Sequence, residues 1–98
     1  MKYRFRPEAR ADLEEAWLYT AGEWGIEQAD RYVEAIVARV EAISERPNSG
    51  SPISEALMGY RKVRAGHHLA IYRVTKGELI VVRVLHERED VPEEIEDN

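Results

Sequence analysis

The chain has 98 residues, 44% of them hydrophobic and 34% charged, with a formal net charge of −5. That length supports one modest core and not two, and the absence of cysteine excludes disulfides, thiolate metal sites and thiol chemistry. No apolar run approaches bilayer length and the start MKYRFRPEAR lacks a signal-peptide pattern, so the expectation is one cytoplasmic domain with no membrane role.

Lys2–Arg6 alternates charged with aromatic residues, the pattern of a short strand. Pro7 then suits the first turn of a helix, where its missing N–H is not needed, and Glu8 suits the positive end of the helix dipole. Ala9, Leu13, Ala16, Trp17, Thr20 and Trp24 recur on one stripe and predict a helix from Pro7 to about Trp24. Both tryptophans read as core packing, with a partner's helix as their other use. Gly25 ends the helix, and Ile26 is expected to fold back onto its last turn.

A second stripe, Ala29, Tyr32, Val33, Ile36, Val40 and Ile43, predicts a helix from about Glu27 to Arg46. Two such helices joined by a short turn form a hairpin that lies on one face of a sheet. Residues 47–52 are a turn-rich loop, and Ile53, Leu57 and Met58 are expected to pin the rest of the connection to the core.

Three strands follow, Tyr60–Ala65, His67–Val74 and Leu79–His86. Thr75-Lys76-Gly77-Glu78 fits a tight hairpin, with Gly77 free to take positive φ. In the last strand Leu79, Val81 and Leu85 should point one way and Ile80, Val82 and Val84 the other. A strand apolar on both faces needs cover on both. If the strand runs on, His86, Arg88 and Asp90 extend the row Ile80, Val82, Val84. The acidic tail Val91–Asn98 reads as frayed, with Pro92-Glu93-Glu94 as a possible start of a short helical turn. The order is β-α-α-β-β-β: an α+β domain with an antiparallel sheet and a helical hairpin on one face.

This order, with Pro7, Asp12-Leu13, Pro47, Gly50 and Pro52, resembles the ParE family within the RelE/ParE toxin superfamily over nearly the whole chain. The more specific part is Gly59-x-Arg61, then His68-x-x-Ile71-Tyr72, then Arg83-Val84-Leu85-His86-x-Arg88-x-Asp90. The resemblance implies the toxin half of a type II toxin–antitoxin pair. The best-known members poison DNA gyrase, and their ParD-like antitoxins resemble ribbon-helix-helix proteins with a tail that wraps the toxin. On this reading the protein needs no cofactor and no metal and is not an enzyme. The antitoxin is expected to meet Leu13, Trp17 and Trp24 on the first helix and the basic strand residues Arg61, Lys62 and Arg64. The target is expected to meet Arg83, His86, Arg88 and Asp90 at the end of the last strand.

The runner-up is a ribosome-dependent mRNA endonuclease of RelE type. Those relatives use clustered Arg and Lys, helped by a Tyr or a His–Tyr pair near the end of the last strand, and such cations stabilise a developing phosphorane. Here Arg61, Lys62, Arg64, Arg73 and Arg83 supply the cations. However, Glu87 follows His86, no aromatic residue comes after it, and Glu87, Glu89 and Asp90 repel a phosphate backbone. Residues 60–90 carry 7 basic and 4 acidic groups while residues 1–59 carry 7 basic and 11 acidic ones, a basic patch on an acidic chain. That balance favours a protein partner over direct nucleic-acid binding. A structural reading of the ending pairs Arg88 with Asp90 and has His86 bond a backbone carbonyl. His67 and His68 are expected on opposite strand faces, which makes a shared metal ion with His86 implausible. A non-toxic interaction module with the same fold remains a third reading.

Overall fold

The computed structural model describes residues 1–95. The chain runs β1 (Lys2–Phe5), α1 (Pro7–Trp24), α2 (Ile26–Ser44), a 3-10 turn at Pro47–Ser49, β2 (Ser51–Pro52), β3 (Arg61–Ala65), β4 (His68–Thr75) and β5 (Glu78–His86). The α+β class holds. The sheet order is β1-β5-β4-β3-β2, so the first and last long segments lie side by side. β1 pairs parallel with β5, from Lys2 opposite Glu78 to Phe5 opposite Val81, and the other pairs are antiparallel. The parallel pair is one detail beyond the antiparallel expectation. It arises because the helical hairpin carries the chain across the sheet before the remaining strands form. The two-residue strand β2 is a second addition, paired to Arg61 and Lys62.

α1 begins at Pro7 without a side-chain cap, and Gly25 closes its end through a backbone bond to Ala21. Ile26 is exposed and opens α2 where a fold-back contact was expected, because the link is a single glycine and leaves no room for a return. Ile36, Val40 and Ile43 of α2 bury their stripe against the sheet with Ala9 of α1. The β4–β5 turn is a two-residue loop with Lys76 and Gly77 both at positive φ, which matches the strand twist.

β5 is central. It lies between β1 and β4 and is apolar toward both faces, as the sequence requires. The alternation breaks at a β-bulge, where Val82 and Arg83 together oppose Ile71. Leu79 and Val81 face the helices, and beyond the bulge so does Val84. Leu85 joins Ile80 and Val82 on the outer face. Val84 and Leu85 thus sit opposite to the strict alternation, since one extra residue exchanges every later side chain between faces.

Among the described residues no helix covers the outer face. Ile53 and Tyr60 of the connecting loop cover it, together with Val91 and Ile95 of the tail. The tail through Ile95 is therefore packed instead of frayed, and no helical turn forms at residues 92–94. Residues 96–98, the rest of that expected frayed segment, lie outside the described ones. Leu57 is buried, but Met58 is exposed and pins nothing. The loop is fixed instead at Gly50. The buried Tyr72 hydroxyl donates to the Pro47 carbonyl at 2.7 Å and accepts the Gly50 N–H at 3.1 Å, and Arg61 donates to the Gly50 carbonyl at 2.7 Å.

Candidate protein-binding cleft at the end of the last strand

β1 stops opposite Val81, whereas β5 runs on to His86. The last part of β5 therefore has α1 beside it where a strand would otherwise lie. Asp12 of α1 closes that edge. Its Oδ2 accepts the Val84 N–H at 2.8 Å and Arg83 Nε at 2.8 Å, and its Oδ1 accepts Arg83 Nη2 at 3.0 Å. The bulge and the missing neighbour free that N–H, and a carboxylate one helical turn beyond Pro7 is placed to take it.

Past Asp12 the two elements diverge around a cleft of about 670 Å³. Tyr19 and Trp24 of α1 line it, both exposed, with Glu15 on the same helix. His67, His68 and His86 line it from the sheet side. His68 and His86 are paired across β4 and β5, with ring centroids 5.3 Å apart. His67 lies in the turn before β4 and stacks near His86 at 6.4 Å. The opposite-face expectation for His67 and His68 fails because strand alternation does not extend into a turn. The three rings share the cleft, yet among the described residues no His, Cys, Asp and Glu group has metal-holding geometry.

Tyr32 of α2 organises the histidines. Its hydroxyl accepts the His67 backbone N–H at 3.0 Å and lies 2.6 Å from His68 Nδ1. One phenol oxygen thus ties the backbone of the turn at His67 to the imidazole of His68. Gly66 makes the approach possible, since a Cβ there would press into the Tyr32 ring and its φ is +61°. β5 ends at His86, and residues 87–88 turn away. His86, Arg88 and Asp90 thus do not continue one strand face. His86 Nδ1 accepts the Arg88 N–H at 3.1 Å instead of donating to a carbonyl, and the Glu89 carboxylate accepts the His86 N–H at 3.0 Å. Glu87 holds His67 Nδ1 at 2.7 Å and Arg64 at 3.5 Å.

The chain matches, over residues 3–91, the family model described as the ParE toxin of the type II toxin–antitoxin system parDE. It is 42% identical over 91 residues to Toxin ParE1 of Mycobacterium tuberculosis, covering 92% of this chain and 93% of that one. The chain belongs to the ParE toxin family. Its fold is similar to a chain of the chromosomal ParDE system from P. aeruginosa, with a TM-score of 0.77, 24% identity, and 88% and 95% of the two chains covered. It is also similar to a chain of the toxin–antitoxin complex RelBE2 from Mycobacterium tuberculosis, with a TM-score of 0.66, 25% identity, and 87% and 95% covered. This protein is thus a type II toxin of ParE type.

In this ParE chain the expected partner-binding residues are spread over both faces. Leu13 packs on the core and Trp17 donates to Asp30 at 2.8 Å, whereas Trp24 is 74% exposed and so is not the core residue its stripe suggests. Trp24 is the last residue of α1, and its ring lines the cleft. Arg61 is engaged with Gly50, and Lys62 and Arg64 alternate with the inward Val63 and Ala65. Arg83 is tied to Asp12, while His86 and Arg88 reach the cleft together. Tyr32, His68 and Asp12, like the lining residues Glu15, Tyr19, Glu87 and Glu89, have no site role in the sequence reading. Tyr32 sat on a helix stripe and looked like core, and only the Gly-His turn placed against it reveals its hydroxyl.

The cleft has a pH signature. Burial pushes the His68 imidazole below its ordinary 6.5, with His86 adding to the effect and Glu89 opposing it. The unfolded chain takes up a proton near that ordinary value while folded His68 stays neutral. Stability is therefore unaffected at higher pH and falls as pH drops through about 6.5 toward the lowered folded value. Glu87, held below the usual carboxylate range first by its hydrogen bond to His67, loses its contribution only at lower pH, beneath its ordinary 4.5. Unfolding midpoints measured between about pH 7.5 and 5.5 should fall in the native protein and fall less in His68→Gln. Equal slopes would assign the effect elsewhere.

Proposed function

We propose that this toxin acts by binding a protein target, DNA gyrase foremost, in the cytoplasm, and that a ParD-like antitoxin of ribbon-helix-helix type neutralises it. No catalytic step and no cofactor enter this reading. The observation that carries it is the chemistry of the cleft. Glu15, Glu87 and Glu89 line it, and Arg83, which a phosphate-cleaving site would use, is bound bidentately to Asp12. A site facing carboxylates stabilises no phosphorane charge. The hydroxyls of Thr20, Ser44 and Ser49 each donate to a backbone carbonyl and serve no His–carboxylate relay. Among the described residues no helix is long and apolar enough to cross a membrane.

In this reading His86, Arg88 and Asp90 belong to the target face, with Arg83 holding the strand end in shape. Lys62 and Arg64 on the outer side of β3 meet an acidic antitoxin segment, next to Arg61, and the α1 residues Leu13, Trp17 and Trp24 support an antitoxin helix in the groove mode. The Tyr32–His68 hydrogen bond beside His86 favours a second reading, the ribosome-dependent mRNA endonuclease, because a neutral imidazole bonded to a phenol is an acid–base pair. Induction without antitoxin separates the two. Gyrase poisoning predicts blocked supercoiling by the purified protein, DNA-damage signalling and intact mRNA at early times. Rapid mRNA cleavage on ribosomes with normal supercoiling would transfer the case to the endonuclease, and no growth effect at all would point to a non-toxic module.

A further inference from the structure

Trp24 and Tyr19 are large aromatic rings left in water on one cleft. Aromatic faces attract cations, Trp most strongly, and guanidinium groups stack on them readily. The charged side chains around these two rings are mostly acidic. Four carboxylates line the cleft, those of Asp12, Glu15, Glu87 and Glu89, against the single guanidinium of Arg88 among the described lining residues.

The carboxylates are not equally engaged. Asp12 is saturated by Arg83 and the Val84 N–H. Glu87 is shared between His67 and Arg64. Glu89 accepts one backbone N–H through Oε1, which leaves acceptor capacity on the group. Glu15 is exposed and makes no ion pair or hydrogen bond among the described residues. His68 lies in the floor with its Nδ1 against the Tyr32 hydroxyl, and its burial disfavours the charged ring. His86 Nδ1 is an acceptor, from Arg88. Aromatic faces, two carboxylates with acceptor capacity and a floor that does not need to be charged fit a long cationic side chain and disfavour an anion.

We propose that this cleft binds an arginine or lysine side chain presented by a protein partner, stacked on Trp24 and paired with Glu15 and Glu89. The proposal rests on the reading of this toxin as one that acts by binding proteins, and it gives the partner a chemistry: a basic residue on an exposed segment. Arginine fits better than lysine, because its plane covers the indole and its fork reaches two carboxylates.

The test uses the full chain and three capped tripeptides, alanine–X–alanine with X as arginine, norleucine or glutamate. Binding is followed by the NMR shifts of the Trp24 indole N–H and the His86 ring. The arginine peptide should shift both signals saturably and bind about three- to tenfold more tightly than the norleucine peptide, with the glutamate peptide inert. Trp24→Ala and Glu15→Gln/Glu89→Gln should each weaken the arginine peptide by a similar factor, while the charge-matched Glu34→Gln/Glu55→Gln should not. Equal binding of norleucine, equal loss in the remote control, or no saturable shift would each overturn the proposal. So would a short single-stranded RNA that shifts these signals when the arginine peptide does not. A toxin that fails the titrations yet still blocks gyrase loses the cleft and keeps the proposed activity. One that takes the peptide and leaves gyrase untouched keeps the cleft and loses the target.

Discussion

Leu85→Ala is expected to lower the free energy of unfolding by about 2–5 kcal/mol. Leu85 is 2% exposed and packs with Ile71, Ile80 and Val82 on the outer face of the sheet. The strand beneath it is paired with β4, Leu85 opposite Leu69, and closed on its other edge by Asp12 of α1, so the backbone cannot close the cavity. The cover above it is looser, consisting of Ile53 and Tyr60 from a loop and Val91 and Ile95 from the tail. Urea unfolding should show a lower midpoint at unchanged slope. A loss below about 1 kcal/mol would mean that the tail collapses into the space. The pairing of β5 would then survive, but the rigidity assigned to this cover would not.

Asp12→Ala is expected to cost about 2–4 kcal/mol. The Asp12 side chain is 11% exposed and that of Arg83 31%, so the guanidinium left behind is partly solvated and the loss stays below that of a fully buried pair. Two defects arise together: Arg83 loses a bidentate partner and the Val84 N–H loses its acceptor. Asp12→Asn keeps one acceptor and no charge, and should fall between the native protein and the alanine variant. A double-mutant cycle with Arg83→Leu separates the ion pair from the backbone bond. If Arg83→Leu alone removes as much stability as Asp12→Ala, and the double variant no more, the backbone bond contributes nothing measurable. If the two losses simply add, the ion pair is not coupled.

Much of this molecule is determined locally. The two helix stripes, the prolines at both ends of the helical hairpin and the Lys76-Gly77 turn fix the elements, because each depends on periodicity or on backbone freedom within a few residues. The motif from Arg83 to Asp90 carries the family, and the match over residues 3–91 agrees with it. The tertiary structure decided what depends on register and on ends. Nothing in the run Leu79–His86 announces a bulge, since Val82 and Arg83 suit regular pairing as well. Yet that one extra residue sends Val84 to the helices and Leu85 to the outer face. Likewise, Gly66 between two expected strands and Tyr32 on a helix stripe are both present in the sequence, but their approach is set by packing between α2 and the β3–β4 turn. The cleft exists because β1 stops short of the end of β5, a difference in strand length that matters only once the hairpin has laid the two side by side.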